Sequence, residues 1–177
     1  MAGRRDRRSY LNEFQRDVNG EYQYRGAHCR YTGPMDYSEL RRGLWLRCGI
    51  GSVLLLAAGC LPGATAGAAA YVTLPYMLAL AACGVLLWTL ARWTRGGPVL
   101  RAYVYAQTVK RLPAETLTAA ILSALGAAGQ GIALLTGSPA SWTKIVFFAC
   151  LAAAALLFAR MYAAAKRMEY RTEEAEA

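Results

Sequence analysis

The sequence predicts an all-α integral membrane protein: four transmembrane helices arranged as two hairpins, with both termini in the cytoplasm. Two observations carry that reading. The stretch from Cys48 to Ala91 holds no Lys, Arg, Asp, Glu or His over 44 consecutive residues. A bilayer core of about 30 Å is crossed by about 20 helical residues, so the run is two passes. Its middle, Pro62-Gly63-Ala64-Thr65-Ala66-Gly67, supplies the reversal, because Pro lacks a donor and Gly tolerates the turn. Charge is also segregated along the chain. Although 56% of the 177 residues are hydrophobic and 18% charged, mean hydropathy is only +0.22, because nearly all charge lies in residues 1–47, 92–115 and 160–177. That block pattern belongs to polytopic membrane proteins.

Residues 1–40 read as a cytosolic N-terminal arm. Arg4, Arg5, Arg7 and Arg8 are followed by a polar run with no apolar core before Leu44, which is not the pattern of a cleavable signal peptide. Residues 1–20 are expected to be disordered or a frayed amphipathic segment. The four arginines suit anionic headgroups, at about 1 kcal/mol each beside a negatively charged leaflet. Nucleic acid is not an expected partner, since basic residues flanking membrane spans already follow from topology. From residue 21 to 33 the text turns to strand formers: Tyr22 and Tyr24 alternate before Arg25-Gly26-Ala27, and Tyr31-Thr32 follow. A β-hairpin over 21–33 reversing at Gly26-Ala27 is the expectation, and it needs support because an isolated hairpin is marginal in water.

Gly33-Pro34 breaks the chain, and Asp36-x-x-Glu39 reads as a capping box. The helix it opens leads into a bundle over 41–164, with span one at 44–61. Trp45 sits at headgroup level, and Arg47 is close enough to the cytosolic end to snorkel. Span two covers 69–91, with Pro75 in its first turns, where a missing donor costs little. In the connector, Gly96-Gly97-Pro98 is a stop and restart, after which Leu100, Tyr103, Val104 and Gln107 recur at helical spacing. With Arg101, Lys110 and Arg111 on other faces, this predicts an amphipathic helix on the cytosolic surface, or a linker helix packed beneath the bundle. Span three, 114–136, follows Pro113. Span four, 141–164, is entered through Trp142 and ends near Arg160, Lys166 and Arg167. The tail, 165–177, closes on a solvated acidic run.

Lys and Arg number ten in residues 1–47, five in 92–111 and four from 160 onward, with none in either short turn at 62–68 or 137–141. The positive-inside rule therefore places both ends and the connector in the cytoplasm of a plasma (inner) membrane protein. Both hairpins enter after a basic pair, Arg41-Arg42 and Lys110-Arg111, which is compatible with a duplication or with two independent hairpins.

The spans are poor in chemistry. An ionisable group buried in hydrocarbon is costly and marks function, yet Cys48 to Ala91 has none. Gln130 is the strong polar group of span three and reads as interhelical glue or a solute contact. Glu115, at the mouth of span three, reads as a first-turn carboxylate on the helix dipole or as a gate. Ala119, Ser123, Ala127 and Gly131 recur every four residues, as do Ala155, Ala159 and Ala163 on span four. Such small ridges let helices approach closely, either within the chain or between subunits.

Five cysteines, at 29, 48, 60, 83 and 150, include no Cys-x-x-Cys pair and read as small hydrophobes. His28-Cys29 would point to opposite faces of a strand, poor geometry for a metal or a nucleophile and base pair. No catalytic residue, metal or cofactor is expected. The functional expectation is a non-catalytic subunit, accessory or scaffold of a membrane complex. It would act through a basic, Tyr-rich cytosolic face comprising Arg4, Arg5, Arg7, Arg8, Tyr22, Tyr24, Arg25, Tyr31, Arg101, Lys110 and Arg111. The expected partners are the lipid bilayer and another membrane or cytosolic protein, or a second copy. A small homo-oligomeric transporter of an apolar or weakly polar solute, working past Gln130 and a Tyr71/Tyr76 belt, is the alternative. An interfacial enzyme using His28 or Cys29 is the third.

Overall fold

A computed structural model describes residues 14–16, 22–24, 27–62, 70–136 and 141–173. Four long helices dominate: α1 (Tyr37–Cys60), α2 (Ala70–Gly96), α4 (Leu112–Leu135) and α5 (Trp142–Lys166). Each is long and apolar enough to cross a membrane, as the charge-free runs require. A six-residue α3 (Ala102–Gln107) precedes α4. The turns expected at 62–68 and 137–141 fall almost wholly outside the described residues.

The helix starts follow local chemistry. The Asp36 carboxylate accepts from the Ser38 backbone N–H at 3.0 Å and from the Ser38 hydroxyl, satisfying a donor that the helix itself leaves orphaned. These bonds hold the Asp36 carboxyl below its usual range. In α4, Pro113 occupies the first turn, where its missing N–H costs nothing.

Around the bundle the order is α1–α5–α4–α2, with extensive seams between α4 and α5, α2 and α4, and α1 and α5, and a thinner one between α1 and α2. The start of α1 meets the end of α2 through Tyr37 and Trp93. The two helices are therefore antiparallel, and the Tyr76 hydroxyl donates to the Leu55 carbonyl at 3.0 Å near their other end. The interior is aliphatic and aromatic: Leu44, Leu55, Leu86, Leu90, Phe147, Leu151, Phe158 and Met161 are fully buried. Thr116, Ser123 and Gln130 of α4 are buried polar members of it, and beside the α1–α2 seam the Ser52 hydroxyl bonds the Cys48 carbonyl of its own helix at 2.7 Å and lies 3.0 Å from the Cys83 sulfur.

Beyond the helices lie short strands. Strands β1 (Phe14–Arg16) and β2 (Tyr22–Tyr24) pair antiparallel. Strands β3 (His28–Tyr31), β4 (Val99–Arg101) and β5 (Tyr170–Glu173) form a three-stranded sheet in the order β4-β3-β5. The hairpin expected over 21–33 is thus corrected: β2 turns back onto β1, while β3 takes β4 and β5 as antiparallel partners. A central strand satisfies backbone groups on both edges, which a hairpin with β2 would not. The connector is corrected too. Gly97, at φ +73°, reverses the chain so that Leu100 enters a strand rather than the predicted amphipathic helix, and only α3 remains helical. The acidic tail likewise contributes β5 before its last residues.

The small-residue ridges divide. Ala119, Ser123 and Ala127 on α4 are buried, Gly131 lies half-buried beside Phe148, and Ala159 and Ala163 on α5 are exposed. Ala120, Ala124 and Ala127 face Ala152, Ala155 and Ala159 across an apolar groove of about 500 Å³. The alanines of α5 therefore border the α4–α5 seam from outside instead of filling it. Leu151 takes that place, its Cδ2 only 2.7 Å from where a Cβ on Gly126 would stand.

The α1–α5 seam makes a direct test of this packing. A Cβ at Gly51 would lie 2.8 Å from the ring of Phe158, whereas nothing lies within 4 Å of one at Gly49. Gly51→Leu is expected to destabilise the bundle by about 1–3 kcal/mol through overpacking. Gly49→Leu should leave the unfolding midpoint in detergent near wild type.

Candidate functional site at the basic end of the bundle

The sheet brings together three segments far apart in sequence: the one before α1, the one after α2 and the one after α5. Alternation gives it two unlike faces. Cys29 stands opposite Leu100, and both are buried. Tyr31 stands opposite Tyr170. These residues form the inward face.

Inside that face is an aromatic cluster. Trp93 is 0% exposed, so its indole N–H needs a partner, and it donates to the Tyr170 hydroxyl at 2.8 Å. Tyr31 packs edge-on against Tyr37 at 5.9 Å between ring centroids and against Tyr170 at 5.4 Å. Tyr105 from α3 completes the ring at 5.2 Å from Tyr170. Burial raises the Tyr170 hydroxyl well above its ordinary range, with the Trp93 bond opposing in part. Burial also raises that of Tyr31, with smaller contributions from Asp36 and Glu169. The Tyr31 ring covers Gly33 so closely that any Cβ there would collide with it.

The outward face carries the charge. His28 lies opposite Arg101 and Glu173, and Arg30 lies opposite Val99 and Arg171. Arg30 reaches Glu173 diagonally at 3.9 Å with both side chains more than half exposed, a pair worth little in water. Arg101 also lines a pocket of about 370 Å³ together with Arg92 and Arg95 from the end of α2. Five arginines and one carboxylate thus share the sheet's outer surface and its flank, an arrangement suited to an anionic or acidic partner.

Of the residues singled out from the sequence, Arg101 belongs to this surface. Tyr31 is turned inward into the aromatic cluster. The Lys110 ammonium sits over the Tyr105 ring at 5.7 Å, and Arg111 is exposed at the start of α4. Tyr22 and Tyr24 lie in β2. Arg4, Arg5, Arg7, Arg8 and Arg25 fall outside the described residues. Arg30, Arg92, Arg95 and Arg171 were not anticipated, and the signal was available: Cys29-Arg30-Tyr31, Val99-Leu100-Arg101 and Tyr170-Arg171-Thr172 each alternate charge with an apolar or β-prone residue.

The other candidates are dispersed. His28 and Cys29 point to opposite faces of β3, as their adjacency requires. Among the described residues no three His, Cys, Asp or Glu side chains gather as a metal would need. Gln130 is 2% exposed, Tyr76 is turned inward to Leu55 and Tyr71 is exposed, so the three form no common lining. One carboxylate oxygen of Glu115 and the Ser123 hydroxyl are buried without a hydrogen-bond partner.

The aromatic lock is testable. Tyr170→Phe leaves the Trp93 N–H buried and unpaired, at an expected cost of about 1–3 kcal/mol, readable as a lowered unfolding midpoint and a shifted indole fluorescence. Because burial raises the Tyr170 hydroxyl above its ordinary value of 10.0, the folded state favours the protonated phenol. That stability is present in full below this pH and is lost as pH rises beyond it; Tyr170→Phe should flatten the alkaline loss.

Comparison of the chain with protein-family models, with curated proteins and with solved structures gives no match, so the functional reading rests on these residues alone.

Proposed function

We propose that this chain is a non-catalytic, multi-pass plasma-membrane protein that serves as a subunit or accessory of a membrane complex, engaging its partner through the basic sheet surface. The basic residues cluster at the end that carries the sheet, so the positive-inside rule puts that end in the cytoplasm, together with both termini. The observation that carries the reading is the partition of the sheet. Tyrosines are spent inward on holding the sheet to the helices, while Arg30, Arg101 and Arg171 are presented outward on a short, firmly seated platform. Preorganised charge of one sign favours fast, selective encounter with an acidic surface, and it loses strength with salt.

The transporter alternative depended on Gln130 acting with Tyr71 and Tyr76, and their separate placements give it no shared surface. The enzyme alternative uses His28 or Cys29, of which β3 holds the first on its outer face and buries the second.

Charge reversal makes the decisive test. The triple variant Arg30→Glu/Arg101→Glu/Arg171→Glu, expressed at native level and isolated in mild detergent, is expected to lose a co-isolating protein that the wild type retains. Its own unfolding midpoint should stay within the range of ordinary surface substitutions, about 0.5 kcal/mol per site. A wild-type protein that purifies alone at native abundance, or a triple variant that keeps the same companion, overturns the proposal.

A further inference from the structure

A second basic cavity lies on the flank of the bundle. It opens between the first turns of α1 and the last turns of α5, encloses about 440 Å³, and is lined by Arg47, Arg160 and Arg167 with a single acid, Glu39. Its remaining wall is largely apolar and includes Leu40 and Ala163. Arg47 is the eleventh residue of α1, about 15 Å along the helix axis from its start. Arg160 lies six residues before the end of α5, about 9 Å from it. Both residues therefore sit within helices able to cross a bilayer rather than in the segments that flank them.

Arg47 is also fitted to its place. A Cβ on Gly43 would stand 3.3 Å from Arg47 Nη1 and 3.9 Å from its Cζ. The guanidinium thus folds back over the bare backbone of Gly43, one turn nearer the helix start. Among the described residues, Arg47, Arg160 and Arg167 take part in no ion pair or side-chain hydrogen bond, and Glu39 offsets only part of their charge. Three cations lining one cavity beside an apolar wall, at the basic end of two bilayer-length helices, call for an anion with a hydrocarbon body. Guanidinium binds a phosphate oxygen pair bidentately and is weakly hydrated enough to do so at an interface.

We infer that the α1–α5 cavity is a binding site for an anionic phospholipid, with the headgroup phosphate held by Arg47 and Arg160. Arg167 closes the site from the side of the sheet, and the acyl chains run along the apolar wall toward the bilayer centre. The inference rests on the membrane placement of α1 and α5 and is independent of the partner proposed for the outer sheet face.

The full chain, delipidated in a neutral detergent, provides the test. Added phosphatidylglycerol is expected to raise the unfolding temperature and to remain bound in native mass spectrometry, whereas phosphatidylcholine and inorganic phosphate do neither. Arg47→Gln/Arg160→Gln should weaken the phosphatidylglycerol response by about tenfold or more, and Arg30→Gln, on the sheet's outer face, should leave it unchanged. Gly43→Val, which pushes the Arg47 guanidinium off its seat, should weaken it as well and serves if the double variant does not fold. Equal stabilisation by phosphatidylcholine would sink the inference. So would an effect reproduced by inorganic phosphate alone, which would mark a soluble-anion site, or a response that survives in the variants. Loss of partner binding in the sheet variant bears on neither result.

Discussion

The indole N–H of Trp93 sets the terms for one whole end of the molecule. Fully buried at the end of α2, it has a single acceptor, the Tyr170 hydroxyl, which lies on a strand that follows the last helix. An unmade bond there would cost more than a made one contributes, so the tail must return to the bundle. Once it does, Tyr170 brings Tyr31 and Tyr105 with it, and the three strands close over Leu100 and Cys29. Helix packing elsewhere does not involve this contact, whereas the seating of β5 on the bundle does.

The two halves of the architecture obey different rules. Within the spans, hydrophobic burial gives little preference for helix against lipid, and close approach of backbones decides the packing. Gly129, where a Cβ would stand 3.0 Å from the Tyr71 carbonyl, is one point of that approach, and Gly51 and Gly126 make room for the Phe158 and Leu151 side chains. At the basic end, aromatic burial and strand pairing operate in the ordinary aqueous way. The contact of Ser52 with Cys83 and the bond from Tyr76 to the Leu55 carbonyl cross the thinner α1–α2 seam, where contact is less broad than elsewhere in the bundle.

The four spans were legible because their cause is local: a charge-free run of sufficient length can be counted residue by residue. Asp36 as a helix start was legible for the same reason, while Pro113, expected just before span three, falls inside the first turn of α4. The sheet was not, because its strands are three or four residues long and their partners lie about 70 and 140 positions away, so that no local period announces them. Leu100, Tyr103, Val104 and Gln107 do recur at helical spacing, yet Leu100 is taken by β4, whose pairing opposite Cys29 fills the edge of β3 that β5 leaves open. The inward turn of Tyr31 was hidden equally well: a tyrosine in a basic segment looks like a surface residue until its neighbour across the strand is known. The α5 alanines misled through the reverse ambiguity, since a small side chain fits a tight seam and a shallow groove alike.

The central position of β3 also orders events during synthesis. Its segment leaves the ribosome before either partner: β4 appears only after α1 and α2 have been made, and β5 only after α4 and α5 as well. Until then one edge of β3 and the indole of Trp93 stand open, offering unpaired amides and an apolar surface to chaperones and proteases. A nascent chain whose last helix failed to insert in the right sense would deliver β5 to the wrong compartment and keep that edge open. Closure of the sheet therefore reports that every crossing has been completed.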